Sequence, residues 1–174
     1  MSVKHKTPSQ SKVTMTEMVF PNDTNPLNNL MGGRMMHLID IVAAITAQKH
    51  SNRIVVTASV DNVSFTHPIK MGNVVTLEAQ ITRAFTSSME IYVRVFAEDI
   101  PSGMKRESNT AFLTFVAVDQ NGTPITVLPV QPETKEEEQL YESALRRRQL
   151  RLILANRLAP DEATELKSLF FKAS

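Results

Sequence analysis

From Gly32 to Gln48 the chain reads Gly-Gly-Arg-Met-Met-His-Leu-Ile-Asp-Ile-Val-Ala-Ala-Ile-Thr-Ala-Gln. The segment has the length of a helix and almost no charge. A surface helix shows a wet face of charged residues, and this one does not. It must be buried on most sides, so the rest of the chain has to supply a wrapper. One carboxylate, Asp40, sits inside the run, where burying it unpaired is costly. Such a group is paired, hydrogen-bonded or kept for chemistry.

The wrapper follows directly. Val13 to Phe20 alternates apolar and polar residues at period two, which predicts a strand. Pro21 to Pro26 is dense in turn formers and reads as a loop that continues through Asn28, Asn29, Gly32 and Gly33 into the helix. Beyond the helix, strands are predicted at 54–65, 74–84, 89–98 and 110–119, with a loop at 100–106 and a short extended end at 126–130. No helical segment separates these later strands, so the order is not a βαβ pattern. An antiparallel sheet wrapped around one helix, an α+β architecture, buries both the apolar face of the sheet and the helix.

The flanks differ in composition. Residues 1–12 are polar and predict a mobile tail, the folded domain spans 13–130, and 131–174 reads as a helical extension. Strong helix formers run from Glu133 to Leu158, acidic at the start and carrying Arg146, Arg147, Arg148 and Arg151 further on, which suits the helix dipole. A last short helix from Pro160 ends in Leu166, Leu169, Phe170 and Phe171, an apolar end expected to dock.

Composition removes several classes of function. The 174 residues suit one compact domain with an appendage. A net charge of +1 argues against a nucleic-acid binder. There is no cysteine, hence no disulfide, no thiolate nucleophile and no Cys-based metal site. His5, His37, His50 and His67 are scattered without ligand spacing, so no metal is expected. The N-terminus lacks the apolar core of a secretory signal, and the central helix is too short to span a bilayer. The expectation is a cytoplasmic protein with neither membrane nor nucleic acid as a partner.

What remains is concentrated near the helix. His37, Asp40, Ala44 and Gln48 fall at spacings of three and four, on one helical face. That face is the helix's only polar line, and it suits a cleft or an interface. Asp40 there either pairs structurally, with His37 as one partner, or does chemistry. At the helix start, Gly32 and Gly33 leave backbone amides at the positive end of the dipole, where a carbonyl oxygen turning into an oxyanion would be stabilised. The simpler reading is a loop-to-helix turn. Asn25, Asn28 and Asn29 read as turn residues or as amides that orient a reactant. The run Arg146–Arg148 is a solvated face or a docking point for phosphate groups.

Taken together, certain residues resemble a known family. They are Asn25-Pro-x4-Met-Gly-Gly-x-Met-Met-x-x-Ile-Asp40, Val56-Thr57, Phe65-x-x-Pro68-x-x-x-Gly72, Thr86-Ser87-Ser88 and Phe115-Val-Ala-Val-Asp-x-Asn-Gly122. In this order they resemble the hotdog-fold acyl-CoA thioesterases, the brain-type acyl-CoA hydrolases and their bacterial single-hotdog relatives most closely. The resemblance implies a five- or six-stranded antiparallel sheet around the helix, dimers with continuous sheets, and further assembly as trimers of dimers. It implies hydrolysis of acyl-CoA with no cofactor, Asp40 acting as general base or nucleophile. It further implies that Asn25 comes from the facing subunit and that the Gly33 amide polarises the carbonyl. Gly32, Met31, Thr57, Ser87, Ser88 and Arg147 are then the expected contacts to the acyl chain and CoA. Two departures stand out: Phe85-Thr86 replaces the usual Gly-Arg before the Ser-Ser turn, and Arg34 replaces the aromatic that often follows Gly-Gly. Three rivals remain open: a non-catalytic acyl-CoA sensor, a dehydratase using His37 beside Asp40, and a structural oligomer subunit.

Overall fold

A computed structural model describes residues 4–170. The chain forms two units, one ending at Gln131 and the other beginning at Pro132. In the first, a one-turn helix α1 (Pro8–Ser11) precedes strand β1 (Val13–Met18), the long helix α2 (Gly32–Ser51), and strands β2 (Ile54–Phe65), β3 (Val74–Ala84), β4 (Ser88–Asp99) and β5 (Met104–Val118). The strands make a single antiparallel sheet in the order β1-β3-β4-β5-β2. All five pack against α2.

Spacing explains how the helix is wrapped. Met35, Leu38, Ile39, Val42, Ala43, Thr46, Ala47 and His50 are buried, one stripe at intervals of three and four. They meet the odd-numbered rows of the sheet, Met89, Ile91, Val93 and Val95 on β4 and Leu113, Phe115 and Ala117 on β5, all buried. Side chains of this size contribute roughly 1.5–3 kcal/mol each when fully buried, so this layer is the core. The opposite stripe of α2, with His37, Asp40, Ala44, Ile45 and Gln48, keeps contact with solvent. The polar line read from the sequence is therefore the uncovered face of the helix.

Three boundaries differ from the sequence reading. Strand β5 begins at Met104, not Thr110, because Lys105, Arg106 and Glu107 extend the ladder opposite Glu98, Ala97 and Phe96. These residues lie at the solvated end of the hairpin, where no apolar alternation marks a strand. The segment 126–130 forms no strand: the Val127 amide donates to Thr86 O at 2.9 Å, and Val130 makes an isolated bridge with Lys6. The expected tail of residues 1–12 is held from Lys6 onward. The Lys6 amide donates to Pro129 O at 3.0 Å, its ammonium donates to the carbonyls of Lys49 and His50 at 2.8 Å each, and Pro8 and Ser11 are buried. Lys6 thus satisfies carbonyls that the C-terminal end of α2 leaves without helical donors.

His50, beneath that latch, donates from Nε2 to Leu128 O at 2.8 Å, while its buried Nδ1 has no hydrogen-bond partner among the described residues. Burial pushes its pKa below the ordinary 6.5, the Leu128 bond works the other way, and the Lys6 ammonium lowers it further. The unfolded chain therefore takes up this proton first, so the stability contributed is complete above pH 6.5 and lost as pH falls toward the folded-state value. Wild type is expected to lose stability below pH 6.5 relative to His50→Gln, which keeps a donor for Leu128 but cannot titrate. The slope is at most about 1.4 kcal/mol per pH unit. Parallel melting curves of the two proteins in that range would contradict the assignment.

The second unit contains α3 (Lys135–Leu154) and the short α4 (Thr164–Lys167). Thr134 caps α3 by accepting from the Glu137 amide at 3.2 Å, while Glu137 reaches back to the Thr134 amide, a capping box. Leu169 and Phe170 are exposed; Phe171 lies outside the described residues.

Candidate active site

Asp40 lies midway along the open face of α2, half-buried. Its partner is Thr57 on β2, whose hydroxyl donates to Asp40 Oδ1 at 2.9 Å. A bulge makes this contact: Thr57 pairs with Phe115 and Ser59 with Thr114, which leaves Ala58 as an extra residue. Bulges of this kind re-aim neighbouring side chains. Cross-strand neighbours share a face, so Thr57 stands in one row with Phe115 and Met89, on the helix side. The second carboxylate oxygen has no hydrogen-bond partner among the described residues.

The helix start is built differently. Met31 is the N-cap and provides no side-chain acceptor, and the first intrahelical bond runs from the Met35 amide to Met31 O. The amides of Gly32, Gly33 and Arg34 are thus the orphan donors of the first turn. A Cβ on Gly33 would meet nothing within 4 Å, so space is open beside its amide. Gly33 precedes Asp40 by seven residues, or about 10 Å along the axis at a rise of about 1.5 Å per residue. The two groups of one chain thus lie nearly two helical turns apart.

Asn25 is fixed by its own loop. Its Oδ1 accepts from the Leu27 amide at 2.9 Å and the Asn29 amide at 3.2 Å, an Asx turn. A flipped amide would oppose N–H to N–H, so Nδ2 is the atom left to act, as a donor. Bonds from Leu30 to Ile69 O and from Met71 to Asn28 O tie the loop to the 69–71 segment. Arg34, at the position expected to shape the pocket mouth, forms an ion pair with Asp23 at 3.0 Å and is drawn toward the loop.

The other expected contacts divide. Met31 is exposed at the helix start beside Gly32. Ser87 and Ser88 form the β3–β4 turn, held by bonds from Phe85 to Ser88 O and from Ala117 to Ser87 O. Ser88 is in register with Val116 and through it with Val56, about 10 Å away across two strand spacings. It occupies the row whose side chains point away from the helix. Ser88 and Asp40 of one chain therefore lie on opposite faces of the sheet. Arg147 belongs to α3 in the second unit, where its guanidinium donates to Ser143 Oγ at 2.7 Å and to Leu140 O at 2.9 Å. Among the described residues no group of three or more His, Asp or Glu side chains could hold a metal ion, and no helix is long and apolar enough to cross a membrane.

A helix held in an antiparallel sheet, with one acid on its free face, is the hotdog arrangement. Residues 27–103 match the thioesterase superfamily. The chain is 47% identical over 138 residues to the uncharacterised acyl-CoA thioester hydrolase YkhA of Bacillus subtilis, covering 79% of this chain and 80% of that one. Among solved structures it resembles the acyl-CoA hydrolase of Staphylococcus aureus in complex with butyryl coenzyme A, coenzyme A and coenzyme A disulfide. The TM-score is 0.82 at 39% identity, over 88% of this chain and 96% of that one. A hexameric acyl-CoA thioesterase in its apo form gives a TM-score of 0.85 at 40% identity, over 88% and 98%. The S. aureus enzyme has also been solved with an aspartate, a threonine and an asparagine individually replaced by alanine, the asparagine variant with coenzyme A bound. The chain belongs to the thioesterase superfamily, as a hotdog-fold member related to the acyl-CoA thioester hydrolases.

Proposed function

We propose that the protein hydrolyses acyl-CoA to a free acid and coenzyme A, at sites each built from two copies of the chain. The observation that carries this reading is the separation of the machinery along α2. Asp40 has a fixed orientation and a free oxygen, and the Gly33 donor lies about two turns away on the same helix. Asn25 and Gly33 of one copy would hold the thioester carbonyl, and Asp40 of the other would take a proton from water. The hydroxide adds to the carbonyl carbon, the oxyanion rests on the two N–H donors, and collapse breaks the C–S bond. The departing thiolate then recovers the proton from Asp40. A thioester carbonyl is electrophilic and its thiolate leaves readily, so the proposed reaction calls for no metal or other cofactor.

Strand β2 supports the pairing. It lies at the sheet edge beside the open face of α2, and its Ile54, Val56, Val60 and Phe65 are exposed. A long edge of β-branched and aromatic residues without a partner invites another strand. We propose dimers joined through β2 with continuous sheets, assembling as trimers of dimers in keeping with the hexameric relative. Coenzyme A is a polyanion that does not cross a bilayer, and the enzyme is proposed to act on it in the cytoplasm. Ser87, Ser88 and Arg147 are retained as proposed CoA contacts, with the Ser-Ser turn acting toward a neighbouring subunit's site.

The test is release of free thiol from a series of acyl-CoAs, followed with a chromogenic thiol reagent. Steady turnover is the expected result. Saturable binding without thiol release would make the protein a sensor instead.

A further inference from the structure

Next to the helix start lies a cavity of about 290 Å³ whose lining includes Asn25, Leu30, Met35, Phe65, Pro68 and Ile69. Its deep side is apolar and fixed: Met35 and Ile69 are 2% and 3% exposed, whereas Phe65 is 57% exposed and forms the outer wall. The Phe65 ring lies 3.7 Å from where a Cβ on Gly32 would stand. The cavity therefore runs past the first turn of α2 with the Asn25 amide in its wall.

The segment carrying Phe65 is pinned by side chains of β5. Asn109 Nδ2 donates to Ser64 O at 2.8 Å, Ser108 Oγ donates to His67 O at 2.6 Å, and the Thr66 hydroxyl donates to Ser108 O. On the other side, the bond from the Leu30 amide to Ile69 O is 2.7 Å. One wall is thus tied to the sheet and the other is tied to it through the Leu30–Ile69 bond, so the cavity is preformed, as small-molecule sites mostly are. Asn25, one donor assigned to the thioester carbonyl, lines it, and Gly32, the neighbour of the other donor Gly33, faces its Phe65 wall, so the first carbons beyond that carbonyl would enter it.

Resting on the thioesterase reading, we propose that this cavity receives the acyl chain, that Met35 and Ile69 form the floor that limits its length, and that Phe65 is the wall that limits its width. Of the three methionines near the glycines only Met35 lines the cavity; Met31 is exposed at the helix start. Met35 is flexible enough to fill an irregular floor, but its position in the core keeps the floor in place.

The experiment measures kcat/KM over straight-chain acyl-CoAs of increasing length, together with one branched acyl-CoA, for wild type, Met35→Ala and Phe65→Ala. One methylene in an apolar pocket is worth about 10-fold or more in discrimination. Met35→Ala is accordingly expected to raise the long-to-short ratio by at least about 10-fold, moving the optimum to longer chains. Phe65→Ala is expected to raise the branched-to-straight ratio instead. Met35 is a core residue and its truncation can unfold the chain; Phe65 is mostly exposed but belongs to the β2 edge, so Phe65→Ala, with Phe65→Leu as the variant that keeps an apolar edge and the dimer checked by size-exclusion chromatography, then decides the matter. Wild-type ratios in every variant that folds and turns over would overturn the inference while leaving the thioesterase reading intact. A wild type inert on every acyl-CoA would overturn that reading, and this inference with it.

Discussion

Replacing Asp40 with Asn is expected to lower kcat for acyl-CoA hydrolysis by about 10²–10⁴-fold, the usual contribution of a positioned general base, with little change in thermal stability. Asn has nearly the shape of Asp, and its carbonyl oxygen can still accept the Thr57 hydroxyl that now bonds Asp40 Oδ1 at 2.9 Å. The residue also sits on the open stripe of α2, outside the packed core, so the fold does not depend on its charge. Thr57→Val should give a smaller loss, because it removes a bond that orients the carboxylate without removing the carboxylate. A hydrogen bond to a charged group is worth about 1.5–3 kcal/mol, so kcat should drop by roughly 10–100-fold with KM nearly unchanged, and Thr57→Ser should restore most of it. Hydrolysis by Asp40→Asn within a few-fold of wild type would remove Asp40 from the mechanism. An equal loss in Thr57→Ser and Thr57→Val would mean that Thr57 acts by shape and not as a donor.

The sequence makes the fold legible through two signals. A run of helical length with almost no charge, Gly32 to Gln48, marks a helix that needs a wrapper, and the period-two strands without crossover helices show what wraps it. Where side chains are solvated these signals fade, which is why β5 reads six residues too short and the hold exerted by Lys6 is invisible. A lysine that caps a helix end forty-odd residues later looks like any lysine in a polar tail. The candidate site divides along the same lines. Asp40, Gly33 and Asn25 stand out as a carboxylate in an apolar run, a helix start without a side-chain cap, and an Asn-Pro turn. The bulge after Thr57 and the cavity floored by Ile69 depend on register between distant strands, which local composition does not report. The placement of Ser88 on the sheet face opposite Asp40 is likewise a register effect: a single residue's shift would turn it toward the helix.

Co-expressing two inactive variants is expected to restore activity. Asn25→Asp keeps an oxygen to accept from the Leu27 and Asn29 amides, so the Asx turn survives. It loses the Nδ2 donor and sets a negative charge where the oxyanion must form. A loss of about 10²–10³-fold or more is expected for that variant alone. Asp40→Asn fails for the separate reason given above. If Asn25 and Gly33 of one copy meet Asp40 of the other, a two-fold dimer of one chain of each kind holds one site with both defects and one with neither. Random pairing makes half of the dimers mixed, so the mixture should recover about a quarter of wild-type activity. The length of α2 supports this outcome, since the acid and the helix-start amide of one chain are about 10 Å apart. A mixture no more active than its parents would mean that Asn25 and Asp40 of one chain serve the same site, and Gly33 would then need replacing as the oxyanion donor. The assay also reports on β2: substitutions such as Val56→Lys on the exposed edge should abolish the recovery together with the dimer, while leaving each monomer folded.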